Sequence, residues 1–353
     1  MREFACLDVL LLPSGCILFP SGRLVRVISY IQAVLLASGY IFNICYNLDY
    51  IRNTIGKRPL ELATWAGNDV GGILFVIIMN RKAVMLAKNM KSCVSSLTRD
   101  QKRSLRRYSM ICLAIYVGLG LKEVASMVNH LLFSKSQYGF DSLHHVTTDL
   151  VVLYIQFNRW FITGILVYVF MVKVIRFKHQ NYFDEVVKRM ESDAELDSTT
   201  LAYERRNLFM TCESLIAPLK HMTGCWYTFI FLQTSAVVIE VTQLNLIDSE
   251  KVTSSLTSLH LVLFMLYLIW SCDEVIYFVG KQTDYVLFRM MRTGTIERSI
   301  TFTTELKESA DRDLFTICSK VRIDRSLVLT FLSALVSTTV LLIEIANYVA
   351  VRS

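Results

Sequence analysis

The sequence predicts an all-α fold, a bundle of seven membrane-spanning helices with an intracellular amino terminus and an extracellular carboxyl terminus. Three observations predict it. The first is composition. Of 353 residues, 53% are hydrophobic and only 19% are charged, and the mean hydropathy is +0.43. A soluble domain carries about 25% charged residues. The second is distribution. Seven apolar stretches hold ten charged residues in 161 positions, against 57 in the other 192, so the apolar residues form separate spans. The third is the alternation of Lys and Arg between successive connections, which sets orientation. With four prolines and 14 glycines, a collagenous, linker-rich or disordered chain is excluded.

The chain opens on a short apolar run, Val9-Leu10-Leu11-Leu12, stopped by Pro13. Glu3 and Asp8 stand where a signal peptide has its basic region. This stretch is therefore read as an uncleaved helix lying near the membrane surface. The spans follow at 24–47, 62–80, 108–127, 145–172, 222–242, 256–279 and 326–350. Each is a continuous run of about 20 residues, the length a helix needs to cross a bilayer. Barrel strands would instead alternate over about ten residues, and only helices satisfy their own backbone groups in lipid.

Lys and Arg number 29 in the amino-terminal end and segments 81–107, 173–221 and 280–325. They number six in segments 48–61, 128–144, 243–255 and the tail. The richer side is the inner one. A G-protein-coupled receptor has the reverse orientation. The net charge of +7 is thus a membrane-surface feature rather than a nucleic-acid patch. Residues 1–172 form helices one to four with an amino-terminal cytoplasmic segment. Residues 173–221 are a cytoplasmic helical extension, 222–279 hold helices five and six, and 280–325 are a second cytoplasmic segment. Residues 326–353 form the last helix and a short extracellular tail. Regular apolar spacing (Phe183, Val186, Val187, Leu208, Phe209; Leu287, Phe288, Leu314, Phe315) makes both extensions amphipathic helices.

Enzyme and metal chemistry find no motif. His144, His145 and Asp149 read as a polar cap at the outer end of the fourth span. Gly71-Gly72 opens no phosphate loop and instead allows close helix packing. There is no Cys-x-x-Cys and no nucleotide fingerprint, so no catalytic residue, cofactor or metal is expected. Of nine cysteines, only Cys45 lies near the outer face, which leaves no external disulfide. A transporter commonly shows internal repeats and broken helices, and neither is visible.

The seventh span carries the most informative pattern. Ser326, Thr330, Ser333, Ser337, Glu344 and Tyr348 recur at helical steps and keep one face polar. Val340 and Leu341 interrupt it. Ser and Thr at this spacing also serve helix packing in membranes. A glutamate at membrane depth faces water or a partner. If copies of this helix surround an axis, the hydroxyls wet a channel, Val340 and Leu341 form an apolar constriction, and Glu344 forms an acidic ring. One helix per subunit cannot enclose a pore, so this reading requires a symmetric oligomer. From the stripe alone, pore and packing stand level.

Ser337-Thr338-Thr339-Val340-Leu341-Leu342-Ile343-Glu344-Ile345 resembles the Thr-Tyr-(five apolar)-Gln-Phe signature of insect gustatory receptors. The preceding Val321-Arg322-Ile323-Asp324-Arg325-Ser326-Leu327 is similar to the Phe-x-Ile-Asp-x-x-Leu stretch that opens that family's seventh helix. Thr338 stands for Tyr, Glu344 for Gln and Ile345 for Phe. The resemblance implies a ligand-gated, non-selective cation channel that opens on a small-molecule tastant from outside. It implies a homo- or hetero-tetramer with other gustatory receptor subunits, in the plasma membrane of chemosensory neurons. Partners are then the tastant and the lipid bilayer, with no nucleic acid. The pore and gate fall on Ser333, Ser337, Val340, Leu341, Glu344, Ile345 and Tyr348. Segments 173–221 and 280–325 match the family's cytoplasmic anchor. In the family the ligand binds among helices two to six. Their outer halves offer Trp65, Asp69, Glu123, Tyr154, Gln156, Gln233, His260 and Tyr267. Alternatives are a G-protein-coupled-type receptor or a transporter.

Overall fold

The structure, a computed structural model, describes residues 5–12, 16–19, 23–46, 59–138, 160–192, 198–243, 249–292, 314–317 and 320–352. Among them are eight helices. They are α1 (Ala5–Leu11), α2 (Arg23–Tyr46), α3 (Pro59–Ser95), α4 (Arg99–Tyr138), α5 (Trp160–Glu191), α6 (Ser198–Gln243), α7 (Ser249–Arg292) and α8 (Arg325–Arg352). A hairpin of β1 (Thr316–Ile317) and β2 (Val321–Arg322) precedes α8.

Local signals set the helix starts. Pro59 opens α3, where its fixed φ and missing N–H cost nothing. Thr98 and Gln101 open α4 with a reciprocal box: the Thr98 amide donates to Gln101 Oε1 at 3.0 Å, and the Gln101 amide donates to Thr98 Oγ1 at 3.3 Å. Asp324 caps α8 by accepting from the Ser326 amide at 2.9 Å. The helices outrun their apolar stretches. α3, α4, α6 and α7 have 37, 40, 46 and 44 residues. At 1.5 Å per residue they are about 55–70 Å long, twice a bilayer core of about 30 Å. Residues 81–95, 99–107 and 173–191 therefore continue the spans as helix.

Among the described residues, four helices are long and apolar enough to cross a membrane by length and composition, within α2, α3, α5 and α7. The spans expected at 108–127, 222–242 and 326–350 lie in α4, α6 and α8. Each of these three helices includes residues whose side chains lie outside the described ones.

α5 is the pillar. Every residue from Trp160 to Val172 is buried, as expected of a helix apolar all round. α3, α4, α6 and α7 all pack on it. Close approach is made by glycine: a Cβ on Gly71 would come within 2.2 Å of the Trp160 ring, and one on Gly72 within 2.3 Å of the Tyr40 ring. The close packing expected at Gly71-Gly72 is thus present.

α1 is helical, with Leu7, Leu10 and Leu11 buried in the main core, packed on α4 and α5, and Val9 exposed on its other face. Their i, i+3, i+4 spacing gives one apolar face. Asp8 then turns the chain back, its Oδ1 accepting from the Leu18 and Phe19 amides at 2.9 and 3.2 Å. Burial pushes that carboxyl up from its ordinary range. The hairpin departs from expectation, since helix was expected there. Phe315, Thr316 and Ile323 are buried, and the Ile323 amide is bonded to the Phe315 carbonyl at 3.0 Å. The β-branched Thr316, Ile317, Val321 and Ile323 favour this pleat.

Pro218 sits inside α6, where it removes the donor for the Ser214 carbonyl four residues earlier. Asn89 of α3 replaces it, its Nδ2 donating to Ser214 O at 3.0 Å. Asn89→Leu is expected to lower stability by about 1–2 kcal/mol. In a Pro218→Ala background the loss should nearly vanish. Thermal unfolding of the four proteins checks this, and equal losses in both backgrounds would sink the account.

Beyond the apolar stretches, α5, α6 and α7 share a second small core of Phe183, Val186, Leu201, Val286 and Met290. Arg205, 6% exposed, lies over the Tyr182 and Phe183 rings at 5.7 and 5.3 Å and meets His179 Nδ1 at 3.0 Å. Burial, and then the Arg205 charge, hold the His179 imidazole well below its ordinary 6.5. A depressed folded-state value gives stability that is present above 6.5 and lost as pH falls below it. Stability of the wild type is thus expected to fall on acidification below about 6.5, and His179→Gln should flatten that dependence. Tm against pH is the measurement.

Candidate functional site: the last helix and an interhelical polar cluster

Among the described residues, α8 is buried on one side. Leu327 and Phe331 are buried, and α6 and α7 are the helices it packs on. The Tyr227 hydroxyl donates to Leu327 O at 3.2 Å. Phe331 meets the Tyr227 and Phe231 rings edge-on at 5.0 and 5.9 Å. At its start, Arg325 Nε donates to Asp273 Oδ2 at 2.6 Å, and its guanidinium lies 5.5 Å from the Trp270 ring.

The polar stripe faces elsewhere. Ser326, Thr330, Ser333, Ser337 and Glu344 are exposed, with Val340 and Leu341 at 49% and 55%. At about 100° per residue all seven lie within about 60° of one line. That line is about 90° around the helix from Leu327 and about 130° from Phe331. Thr330 Oγ1 donates to Ser326 O at 3.1 Å, so this hydroxyl keeps its oxygen free to accept. The side chains of Ile345 and Tyr348 lie outside the described residues. Among the described residues the stripe is thus bare of its own chain, as are Leu329, Leu332 and Val336 beside it, which suits water or copies of itself.

Asp69, 4% exposed, anchors a second site. It takes a hydrogen bond from Asn43 Nδ2 of α2 at 2.8 Å and one from Asn68 Nδ2 at 3.4 Å. Trp160 Nε1 donates to Asn68 Oδ1 at 3.2 Å. Three helices thereby share one polar knot, and a buried carboxylate with amide donors is tolerated where a bare one is not. Aromatic rings adjoin it: Trp160 stands 6.3 Å from Phe75, 6.0 Å from Phe161 and 5.9 Å from Phe229. A few placed polar groups against aromatic walls is the chemistry of a small-molecule site.

The other residues expected near a ligand are spread out. The Tyr267 and Tyr108 hydroxyls stand 2.7 Å apart. Tyr108 stacks on Phe170 at 6.4 Å, ten residues and about 15 Å along α5 from Trp160. His260 meets Phe264 edge-on at 6.4 Å, and Gln233 is half-buried on α6. Trp65 and Glu123 lie on α3 and α4 with side chains outside the described residues, and Tyr154 and Gln156 are outside them altogether. Asn43, Phe75, Trp160, Phe161 and Phe229 were not singled out from sequence. They sit in uniformly apolar spans, where only the tertiary contact marks them. Asp273 and Glu274 of α7 pair with Arg325 and Arg176.

No family model matches the sequence, and no curated protein matches it. Solved structures do. The chain is similar to the insect olfactory receptor OR5 from Machilis hrabei, with a TM-score of 0.65 and 11% identity over 96% of this chain and 97% of that one. The same receptor in complex with eugenol gives a TM-score of 0.67 at 11% identity over the same shares. The chain has the insect olfactory receptor fold. The likeness spans nearly all of both chains and is one of architecture.

Proposed function

We propose that this chain is a subunit of a ligand-gated cation channel of the insect chemoreceptor kind, serving contact chemoreception, and that four copies or a mixture with related subunits surround a pore. One observation carries the reading: the Ser326–Ser337–Glu344 face of α8 is exposed while Leu327 and Phe331, about 90–130° around the helix, are buried where α8 packs on α6 and α7. A polar face on a hydrophobic rod is costly against lipid. Sister copies around an axis remove that cost by enclosing water. Ser333 and Ser337 then wet the pore, Val340 and Leu341 narrow it, and Glu344 sets its preference for cations, with Ile345 and Tyr348 beyond.

The ligand enters the bundle at the Asp69 knot and the Trp160–Phe161–Phe229 rings, on the outer side by the charge alternation. A small molecule with one hydrogen-bonding group and an apolar body suits that chemistry; the related receptor was solved with eugenol. Binding favours the open arrangement only through its higher affinity for it. The protein then works in the plasma membrane of chemosensory neurons. Whole-cell recording from cells expressing the chain, alone and with candidate sister subunits, tests this. Cation current that depends on added tastant is expected. Solute uptake without current would instead make it a transporter.

A further inference from the structure

The chain's positive charge is concentrated in one place. Segment 81–107 has nine Lys and Arg against one acid, Asp100, a net of +8 that exceeds the +7 of the whole chain. Segment 173–221 has eight basic and eight acidic residues. Helix extensions beyond the apolar stretches spend their charges on each other. Arg189 pairs with Glu204 at 3.0 Å and Glu185 at 3.2 Å, Arg289 with Glu191 at 3.2 Å, and Lys220 with Glu213 at 3.8 Å. At the 81–107 turn the ion pair among the described residues is Arg103 with Asp100 at 3.3 Å, both well exposed. Lys102 Nζ is bonded to the Ser95 carbonyl at 3.0 Å. Lys178 of α5 adds a further cation there, its Nζ donating to Ser96 Oγ at 2.7 Å.

Placement sharpens the point. Arg81, Lys82, Lys88 and Lys91 are exposed on the last turns of α3, and Arg99, Arg103, Arg106 and Arg107 on the first turns of α4. Arg81 and Lys82 immediately follow one apolar stretch, and Arg106 and Arg107 immediately precede the next. The two helices share the turn at 96–98 but go on to different neighbours, α3 to α2, α5 and α6, and α4 to α1 and α5. Arg81, Lys82, Arg106 and Arg107 are therefore exposed at the level where a leaflet's headgroups begin, with Lys88, Lys91, Arg99 and Arg103 exposed farther out on the same helices. Juxtamembrane clusters of four to eight Lys and Arg attract anionic lipid at about 1 kcal/mol each.

We infer that the 81–107 turn is a docking face for phosphate-rich headgroups of anionic phospholipid in the adjoining leaflet. The inference rests on the membrane reading above, but not on conduction. A bound headgroup ties α3, which holds Asp69, to α4 at the inner surface. Lipid composition thereby biases the same bundle that a ligand must rearrange.

The test uses the detergent-purified full chain and native mass spectrometry, offered phosphatidylinositol bisphosphate or phosphatidylcholine. The wild type should retain the anionic lipid about tenfold more or better, and added salt should reduce that preference. The combined variant Arg81→Gln, Lys82→Gln, Arg106→Gln and Arg107→Gln should lose most of it while keeping the wild-type Tm. Lys188→Gln with Arg206→Gln, exposed cations of the charge-balanced extension, should keep it. No preference in the wild type, or equal loss in this control, overturns the proposal. So does inositol hexakisphosphate or a short nucleic-acid duplex binding the turn where the lipid fails. A chain that prefers anionic lipid yet passes no current retires the channel reading alone, and a conducting chain without lipid preference retires this one alone.

Discussion

Gly164→Val is expected to leave no folded protein. α5 is closed in on every side, and Gly164 lies where α6 comes nearest. A Cβ there would stand 2.4 Å from Trp226 Cζ2 and 2.9 Å from Cε2. The indole cannot swing aside: Trp226 is fully buried, with Tyr168 edge-on at 6.0 Å. Two effects compete in the milder Gly164→Ala change. Helix propensity favours Ala by about 1 kcal/mol, while overpacking a filled core costs about 1–3 kcal/mol. The collision is with a rigid ring rather than a flexible tip, so the cost wins and Ala is destabilising. Val adds two methyls to the same space and removes much of a total stability of about 5–15 kcal/mol. Yield of monodisperse protein and Tm measure this. Trp226→Phe, which lacks the colliding atoms, should recover part of the Gly164→Ala loss. A Gly164→Ala protein more stable than the wild type would show that α6 stands farther off.

The all-helical character and the apolar, membrane-type stretches were legible because each depends on local composition. The starts at Pro59 and Arg99, three and nine residues before the expected spans, are set by Pro59 and the Thr98–Gln101 box. The ends were not legible. Residues 81–95 lose their apolar run yet stay helical, because Leu86, Met90, Cys93 and Val94 still face the core and a single face suffices in water. The hairpin was missed because Phe315 and Ile323 are a pair only once the chain has turned back. Asp69 stood out from sequence as a charge in a span. Its partners Asn43 and Trp160 did not, since they come from helices distant in the chain. The face of α8 was legible as a stripe, but the stripe could not tell outward from inward. That needed Leu327 and Phe331, ordinary apolar residues until Tyr227 and Phe231 are seen against them.

Glu344→Lys is expected to change what passes through the assembled protein, and it tests the orientation of α8 directly. Glu344 is exposed and shares the line of Ser326, Ser333 and Ser337. If that line faces a common axis, each copy contributes one carboxylate to a ring. A unit charge about 6 Å from a passing ion is worth about 0.7–3 kcal/mol between effective dielectrics of about 80 and 20. Reversing its sign doubles the change, and every copy adds its share. Cation conductance should therefore fall about tenfold or more, with reversal potentials shifting toward anions. Glu344→Gln should fall in between, because it removes the charge and keeps the shape. Expression and Tm should hardly move, since Glu344 has no packing role on its own subunit. That combination separates a pore face from a packing face: a buried packing glutamate would lose stability and leave selectivity alone. Unchanged ion selectivity in Glu344→Lys, with current intact, would turn the stripe away from the axis and withdraw the conduction pathway proposed along it.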